Sequence, residues 1–301
     1  MRGECIDADW LRAHPLPPVQ SGADKNARGR VLVVGGAEFV PGALRLTGEA
    51  ALRAGAGKLQ MATVRSAAMS LGVLVPEAAM IALPAQEDGE IAAEAVQILA
   101  KRISACDALI VGPGMSVSRE TDELVAGLLS AMDPPSGIIL DAAALTSLRD
   151  QAPLVRGQNA NIILTPHHGE MAILSGLNEE AIAADPTSAA VDMARHLGAV
   201  ILLKGKHSII AGPDGSLLSH ELDCVGLATG GSGDVLAGIV GGLIARGAPP
   251  MEAAAWAIWA HGQAGRQLAA EVGPVGFLAR ELPPLIPALL SEGHQARGSR
   301  E

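Results

Sequence analysis

Val31-Leu32-Val33-Val34 is an apolar run with no polar interruption, closed by Gly35-Gly36. A strand that buries both faces reads this way, and two-faced burial is the habit of parallel sheets covered by helices. From there strand and helix patterns alternate. Strands are expected at 30–36, 58–64, 107–112, 137–141, 161–165, 199–204 and 207–212, and helices at 42–55, 90–103, 118–131, 186–197, 233–246 and 251–270. Pro213-Asp214-Gly215-Ser216 reads as a turn joining 207–212 to a strand at 217–220. This order predicts an α/β fold: a mostly parallel central sheet flanked by helices, with a late antiparallel hairpin. Residues 1–28 read as an irregular leader broken by Pro15, Pro17 and Pro18. Residues 29–291 read as one domain and 292–301 as a loose tail, with Pro283, Pro284 and Pro287 interrupting the helix before it.

One loop concentrates chemistry. Ala228-Thr229-Gly230-Gly231-Ser232-Gly233-Asp234 precedes an apolar stripe at helical spacing: Val235, Leu236, Ile239, Val240, Leu243 and Ile244. Glycines let backbone N–H groups converge, and the helix start adds its positive dipole end, so the loop is an anion site. A carboxylate there, Asp234, is placed to take a proton from a hydroxyl while phosphate is held nearby. The plainer alternative is a glycine-rich turn with Asp234 as helix N-cap.

Composition excludes several partners. The chain has 301 residues and a net charge of −10, which opposes binding to a phosphate backbone. Two Phe, three Trp and no Tyr leave few rings for stacking single-stranded bases. The longest apolar run, 235–245, is about half a membrane span, and the N-terminus has no signal-peptide pattern. Cys5, Cys106 and Cys224 are an odd, scattered set without metal-ligand spacing, as in a reducing cytosol. The expectation is a cytoplasmic protein that binds neither nucleic acid nor membrane.

Ligands of open α/β sheets gather at the C-terminal ends of the strands. Gly112-Pro113-Gly114 follows 107–112 as a ligand approach or a tight turn. Thr165-Pro166-His167-His168-Gly169-Glu170 follows 161–165. There His167 can bond a substrate and Glu170 a metal-bound water, or the segment is a helix start with Pro at its first position. Lys204-Gly205-Lys206-His207-Ser208 suits a polyphosphate, or is a charged strand end. Gly36 to Ala43 leads into the first helix, and Asp141 ends 137–141 as a ligand contact or a cap. His261, on a helix, reads as a packing or capping residue rather than a catalyst.

With these loops assembled, the chain resembles the ADP/ATP-dependent NAD(P)H-hydrate dehydratases of the ribokinase-like superfamily. The resemblance runs from about Gly29 to Ala270 and rests on Val33-Val34-Gly35-Gly36, Pro41-Gly42-Ala43, Gly112-Pro113-Gly114, Thr165-Pro166-His167-His168-Gly169-Glu170, Lys204-Gly205 and Ala228 to Leu236. It implies a lyase that restores NADH and NADPH from NADHX and NADPHX. ADP, or ATP, would phosphorylate the C6 hydroxyl, and phosphate would then leave. By position, Asp234 would be the base, the amides of Gly231, Ser232 and Gly233 would form the anion hole for the transferred phosphoryl group, and Ala43, Gly114, His167 and Asp234 would contact the hydrate. Lys204, Gly205, Lys206, His207, Ser208 and Gly233 would contact the adenine nucleotide. Glu170 would serve Mg²⁺ through water. A separate NAD(P)H-hydrate epimerase would act in the same pathway, and a homo-oligomer, a tetramer, is implied.

Some positions depart from the family pattern. Ala37 and Val40 stand where the first loop often has serine and tyrosine. Asp141-Ala142-Ala143-Ala144-Leu145 replaces Asp-Ala-Asp-Ala-Leu, and Cys224-Val225 replaces Asn-Pro. Asp234 is untouched. Two other readings share the loop chemistry: a small-molecule kinase of the same superfamily, and a non-catalytic nucleotide-binding homologue.

Overall fold

The computed structural model describes residues 3–18, 22, 24–130, 135–149, 151–158 and 162–295. Glu4–Cys5 forms β1 and Ala8–Ala13 forms α1. Next come β2 (Arg30–Val34), α2 (Gly42–Arg53), β3 (Lys58–Val64), α3 (Arg65–Leu74) and β4 (Ala78–Leu83). The chain continues through α4 (Ala95–Ile103), β5 (Ala108–Val111), α5 (Arg119–Ser130), β6 (Gly137–Leu140), α6 (Ala143–Thr146) and α7 (Ala152–Arg156). Then follow β7 (Ile162–Leu164), α8 (His168–Ser175), α9 (Glu179–Ala184), α10 (Pro186–Leu197), β8 (Val200–Leu203), β9 (His207–Ala211) and β10 (Leu217–Glu221). The last helices are α11 (Ser232–Ala245), α12 (Pro250–Glu271) and α13 (Ile286–Gln295).

One ten-stranded sheet has the order β1-β10-β9-β8-β7-β6-β5-β2-β3-β4. Strands from β8 to β4 run parallel, whereas β9 is antiparallel to both β8 and β10. The expected mostly parallel sheet with a late hairpin is what forms. β5, β6, β7 and β8 are buried along their whole length, so helices cover both faces and two apolar cores result. The chain leaves β2 toward β3 on one side and returns to β5 on the other, which places a topological switch point between β2 and β5.

Local chemistry sets the helix ends. Asp185 caps α10 by accepting from the Ser188 amide at 3.0 Å, Pro186 occupies the first turn, and Gly198 closes the helix at φ +66°. Close approach positions α11 against α2. A Cβ on Gly238 would lie 2.7 Å from Ala50 Cβ, and one on Gly242 would lie 2.5 Å from the Ala51 carbonyl oxygen. These glycines let the helix that begins at the glycine-Asp loop lie almost backbone to backbone with α2.

Several sequence expectations are corrected. Residues 4–13 are not irregular: β1 pairs with β10, α1 buries Trp10 and Leu11, and Trp256 Nε1 donates to the His14 carbonyl at 2.8 Å. Residues 1, 2, 19–21 and 23 of that leader lie outside the described residues. β4 and α3 join the sheet edge where no element was read. β2 stops at Val34: Gly35 N–H still bonds the Ala62 carbonyl of β3, but Gly36 N–H turns to Pro113 in the loop after β5. α13 runs to Gln295, past the start assigned to the tail, whereas 296–301 lie outside the described residues, as do 131 and 161 at the ends of two predicted elements.

Candidate active site

The loops after β2, β5, β6, β7 and β8 stand side by side because those strands are neighbours. α11 begins above them. Its N-cap is Gly231 at φ +90°, a left-handed conformation that favours glycine, and a Cβ there would also meet Leu46. Asp234 is thus the third residue of the helix, not its cap. The amide of Ser232 donates to the Thr229 carbonyl at 3.2 Å. The expected three-amide anion hole is therefore corrected: Ser232 N–H is spent within the turn. Among the described residues the amides of Gly231, Gly233 and Asp234 have no acceptor and remain available.

Four charged groups share the floor of the site. Lys204 Nζ donates to Asp141 Oδ1 at 2.9 Å and lies 3.7 Å from Glu170 Oε2. Asp141 is 2% exposed and also accepts from Thr165 Oγ1 at 2.7 Å. Burial works against the Lys204 charge, yet the carboxylates of Asp141 and Glu170 hold its pKa above the ordinary lysine value. Asp234 is the carboxylate left without a cation of its own. Burial first, then Asp141 and Glu170, push its pKa up to about 7, with Lys204 opposing. A carboxylate that titrates near neutrality is the result.

His167 is the N-cap of α8, two residues later than the Thr165 cap that a helix starting on Pro166 requires. Its Nδ1 accepts from the amides of Gly169 (3.0 Å) and Glu170 (3.2 Å), while Glu170 Oε2 accepts from the His167 amide at 2.8 Å. This reciprocal capping box aims Glu170 at Lys204. With Nδ1 taken up by the cap, Nε2 is the remaining imidazole nitrogen, and it lies 3.6 Å from Glu170 Oε1.

A cavity of about 590 Å³ opens beside this floor. Lys204, Gly205, Lys206, Ser208, Ser232 and Gly233 supply its polar wall, and Leu222, Cys224, Val225, Leu227, Leu236 and Ile258 its apolar one. That mixture suits a flat heterocycle at one end and phosphates at the other. His207 does not line it; the residue is exposed at the start of β9, where strand alternation turns Ser208 inward instead. His167 lines this same cavity, whereas Ala43, Gly114 and Asp234, with which it was grouped, are not among the lining residues. Ala43 and Gly114 sit together at the β2–β5 switch point, where a Cβ on Gly114 would come within 3.0 Å of Ala43 Cβ. Ala37 is buried there, its amide donating to the Gly114 carbonyl at 2.9 Å, and Val40 is exposed. Ala143 is buried behind Asp141, and Ala142 holds φ +51°, the chain's one left-handed non-glycine among the described residues.

Sequence reasoning left two members of the site undecided. Asp141 is the hub that pairs Lys204 across 63 positions, a partnership no local pattern encodes. His261 reaches Ser232 from α12. Their shared signal is a polar residue in an otherwise apolar stretch.

An open, mostly parallel sheet with a late antiparallel hairpin and a glycine-Asp helix start is the ribokinase-like fold. The ribokinase-like superfamily protein of Enterococcus faecalis V583 has this fold at TM-score 0.81, with 24% identity and 96% of both chains covered. A family model described as NAD(P)H-hydrate dehydratase matches residues 31–288, and the chain belongs to that family. It is 46% identical, over 96% of both chains, to the ADP-dependent (S)-NAD(P)H-hydrate dehydratase of Xanthomonas campestris pv. campestris. The ADP/ATP-dependent NAD(P)H-hydrate dehydratase of Bacillus subtilis, co-crystallised with ATP and Mg²⁺, superposes at TM-score 0.80 with 27% identity, covering 97% of this chain and 99% of that one. The chain spans about half the length of bifunctional NAD(P)H-hydrate repair enzymes such as that of Moorella thermoacetica, which is 37% identical over 95% of this chain and 53% of its own.

Proposed function

We propose that this protein is a lyase that dehydrates NADHX and NADPHX back to NADH and NADPH, using ADP, or ATP, as phosphoryl donor. The observation that carries the reading is Asp234: a carboxylate with its pKa raised to about 7, one residue beyond the free Gly233 amide. Hydroxide is a poor leaving group at neutral pH. Asp234 takes the proton from the C6 hydroxyl as its oxygen bonds to the terminal phosphorus of the nucleotide. With ADP, the phosphorus–oxygen bond to AMP breaks, and the amides of Gly231, Gly233 and Asp234 stabilise the moving phosphoryl group. The ring nitrogen then expels phosphate from C6, and loss of the neighbouring ring proton restores the double bond.

The nucleotide occupies the cavity, with Lys204, Gly205, Lys206, Ser208 and Gly233 about its phosphates. Ala43 and Gly114 receive the hydrate at the switch point, with His167 at the boundary between the two ligands. Asp141, Glu170 and Asp234 put three carboxylates around one lysine, a balance that favours a nucleotide arriving with Mg²⁺ over a bare one. Glu170 already accepts from the His167 amide and lies 3.7 Å from Lys204 Nζ, so it fits a cation held through water. Bound Mg²⁺ would supply charge neutralisation on the phosphates. Among the described residues no group of three or more His, Cys, Asp or Glu forms a cage, which agrees with a cation carried mainly by the nucleotide.

The same reading includes a cytoplasmic location, a homo-oligomer and an NAD(P)H-hydrate epimerase in the same pathway. Among the described residues no helix is long and apolar enough to cross a membrane. The test is incubation with NADHX, Mg²⁺ and ADP or ATP while following NADH absorbance. Formation of NADH with stoichiometric phosphate supports the dehydratase; a stable phosphate ester instead identifies a small-molecule kinase.

A further inference from the structure

Ser232 opens α11, is 5% exposed and lines the nucleotide cavity. Its hydroxyl oxygen lies 2.9 Å from His261 Nε2, and the same Nε2 lies 3.1 Å from the Ser232 carbonyl oxygen. A carbonyl can only accept, so Nε2 carries the imidazole proton. Ser232 Oγ therefore accepts from His261, which excludes a base-and-nucleophile pair. Nδ1 is left as a buried lone pair with no donor among the described residues. A leucine would fill this space without leaving an unpaired polar atom. Burial, with Lys204 adding to it against the Ser232 carbonyl, lowers the His261 pKa to about 4, so the ring is neutral at working pH. With Oγ accepting from behind, its own O–H must point elsewhere, and the residue faces the cavity beside Lys204 and Gly233.

We propose that the Ser232 hydroxyl donates a hydrogen bond to a phosphate oxygen of the adenine nucleotide, and that His261 is the positioning residue that turns it outward. The inference rests on the reading of the cavity as the nucleotide site. It replaces the Ser232 amide, spent on Thr229, with the Ser232 hydroxyl.

Calorimetric titration of ADP with Mg²⁺ into the wild type, Ser232→Ala, His261→Leu, His261→Gln and the double variant Ser232→Ala/His261→Leu tests this. Ser232→Ala should weaken ADP binding about 10-fold or more, the scale of a hydrogen bond to a charged acceptor. His261→Leu should do likewise, the double variant should lose no more than the larger single loss, and the amide donor of His261→Gln should restore most of the affinity. The KM for NADHX in Ser232→Ala should stay within twofold of wild type. Ser232→Ala is small enough to fold, so misfolding of a His261 variant, seen by circular dichroism, leaves the hydroxyl's role decidable. ADP binding within twofold of wild type in Ser232→Ala overturns the inference and spares the nucleotide reading. Additive losses in the double variant overturn the role of His261, and a wild type that binds no ADP overturns the cavity assignment and this inference with it.

Discussion

Asp234 shows how far one residue's surroundings decide its chemistry. A carboxylate in water is ionised well below neutrality; here burial beside Asp141 and Glu170 raises its pKa from 3.8 to about 7. The base must be ionised to act, so kcat/KM should fall as pH drops through about 7. Asp234→Asn should lower turnover by roughly 10²- to 10⁴-fold and leave ADP binding intact, and turnover within threefold of wild type would remove Asp234 from the base role. Stability gives an independent check. Folded Asp234 holds its proton more tightly than the unfolded chain, so its contribution is fully present below 3.8 and is lost as pH rises through about 7. Asp234→Asn escapes that loss, and thermal melts should place it above wild type at pH 8 and level with it near pH 4. Gly233 carries a steric counterpart: a Cβ there would sit 3.2 Å from Lys204 Nζ. Gly233→Val should weaken ADP binding by calorimetry with circular dichroism unchanged; equal affinity would move the phosphates elsewhere. Asp234, Lys204 and Ser208 stood out as candidates because residue type and position at a loop or strand end coincide. His207 was not, since motif spacing ignores the alternation that turns it outward.

Among the elements, strands were legible wherever an apolar run had clear punctuation, as with Val31 to Val34 before Gly35-Gly36. α3 and β4 were missed because 65–83 is rich in alanine, methionine and leucine throughout, so neither a helical nor a strand period stands out. The pairing of α11 with α2 was hidden for another reason. Glycines at 238 and 242 read as weak helix formers, and only the neighbouring backbone explains them. Their role has a direct test. A valine side chain at 238 would press on Ala50 Cβ and the Thr47 carbonyl. Gly238→Val should cost about 1–3 kcal/mol in urea unfolding, the usual scale of overpacking. It should also displace the start of α11, so the kcat of the surviving folded protein should fall. A variant as stable and active as wild type would show that the two helices do not need this contact distance.

At the scale of the whole molecule, the sheet carries the site on its parallel strands and closes its far edge with the leader. β1 adds to β10, and Ile6, Trp10, Leu11 and Leu16 are buried. The proline-rich sequence hid this, because its contacts are long-range: Trp256 Nε1 reaches the His14 carbonyl from 242 positions away. Trp10 stacks on His14 with ring centroids 4.2 Å apart and anchors the segment. Trp10→Ala should therefore cost about 3–5 kcal/mol, the range for removing a large buried ring. At about 2–4 °C per kcal/mol for large domains, the melting temperature should fall by roughly 6–20 °C. Hydrogen exchange should speed first in β10, whose outer edge the leader covers. The charged floor of the candidate site is built on β6, β7 and β8 and on α11, none of which pairs with β1. NADHX turnover per folded molecule, measured well below the new melting temperature, should stay within twofold of wild type. Unchanged melting would show that the leader is not part of the cooperative fold. A large loss of turnover at full folding would show that the leader acts on the site itself, through β10 and the cavity wall that follows it.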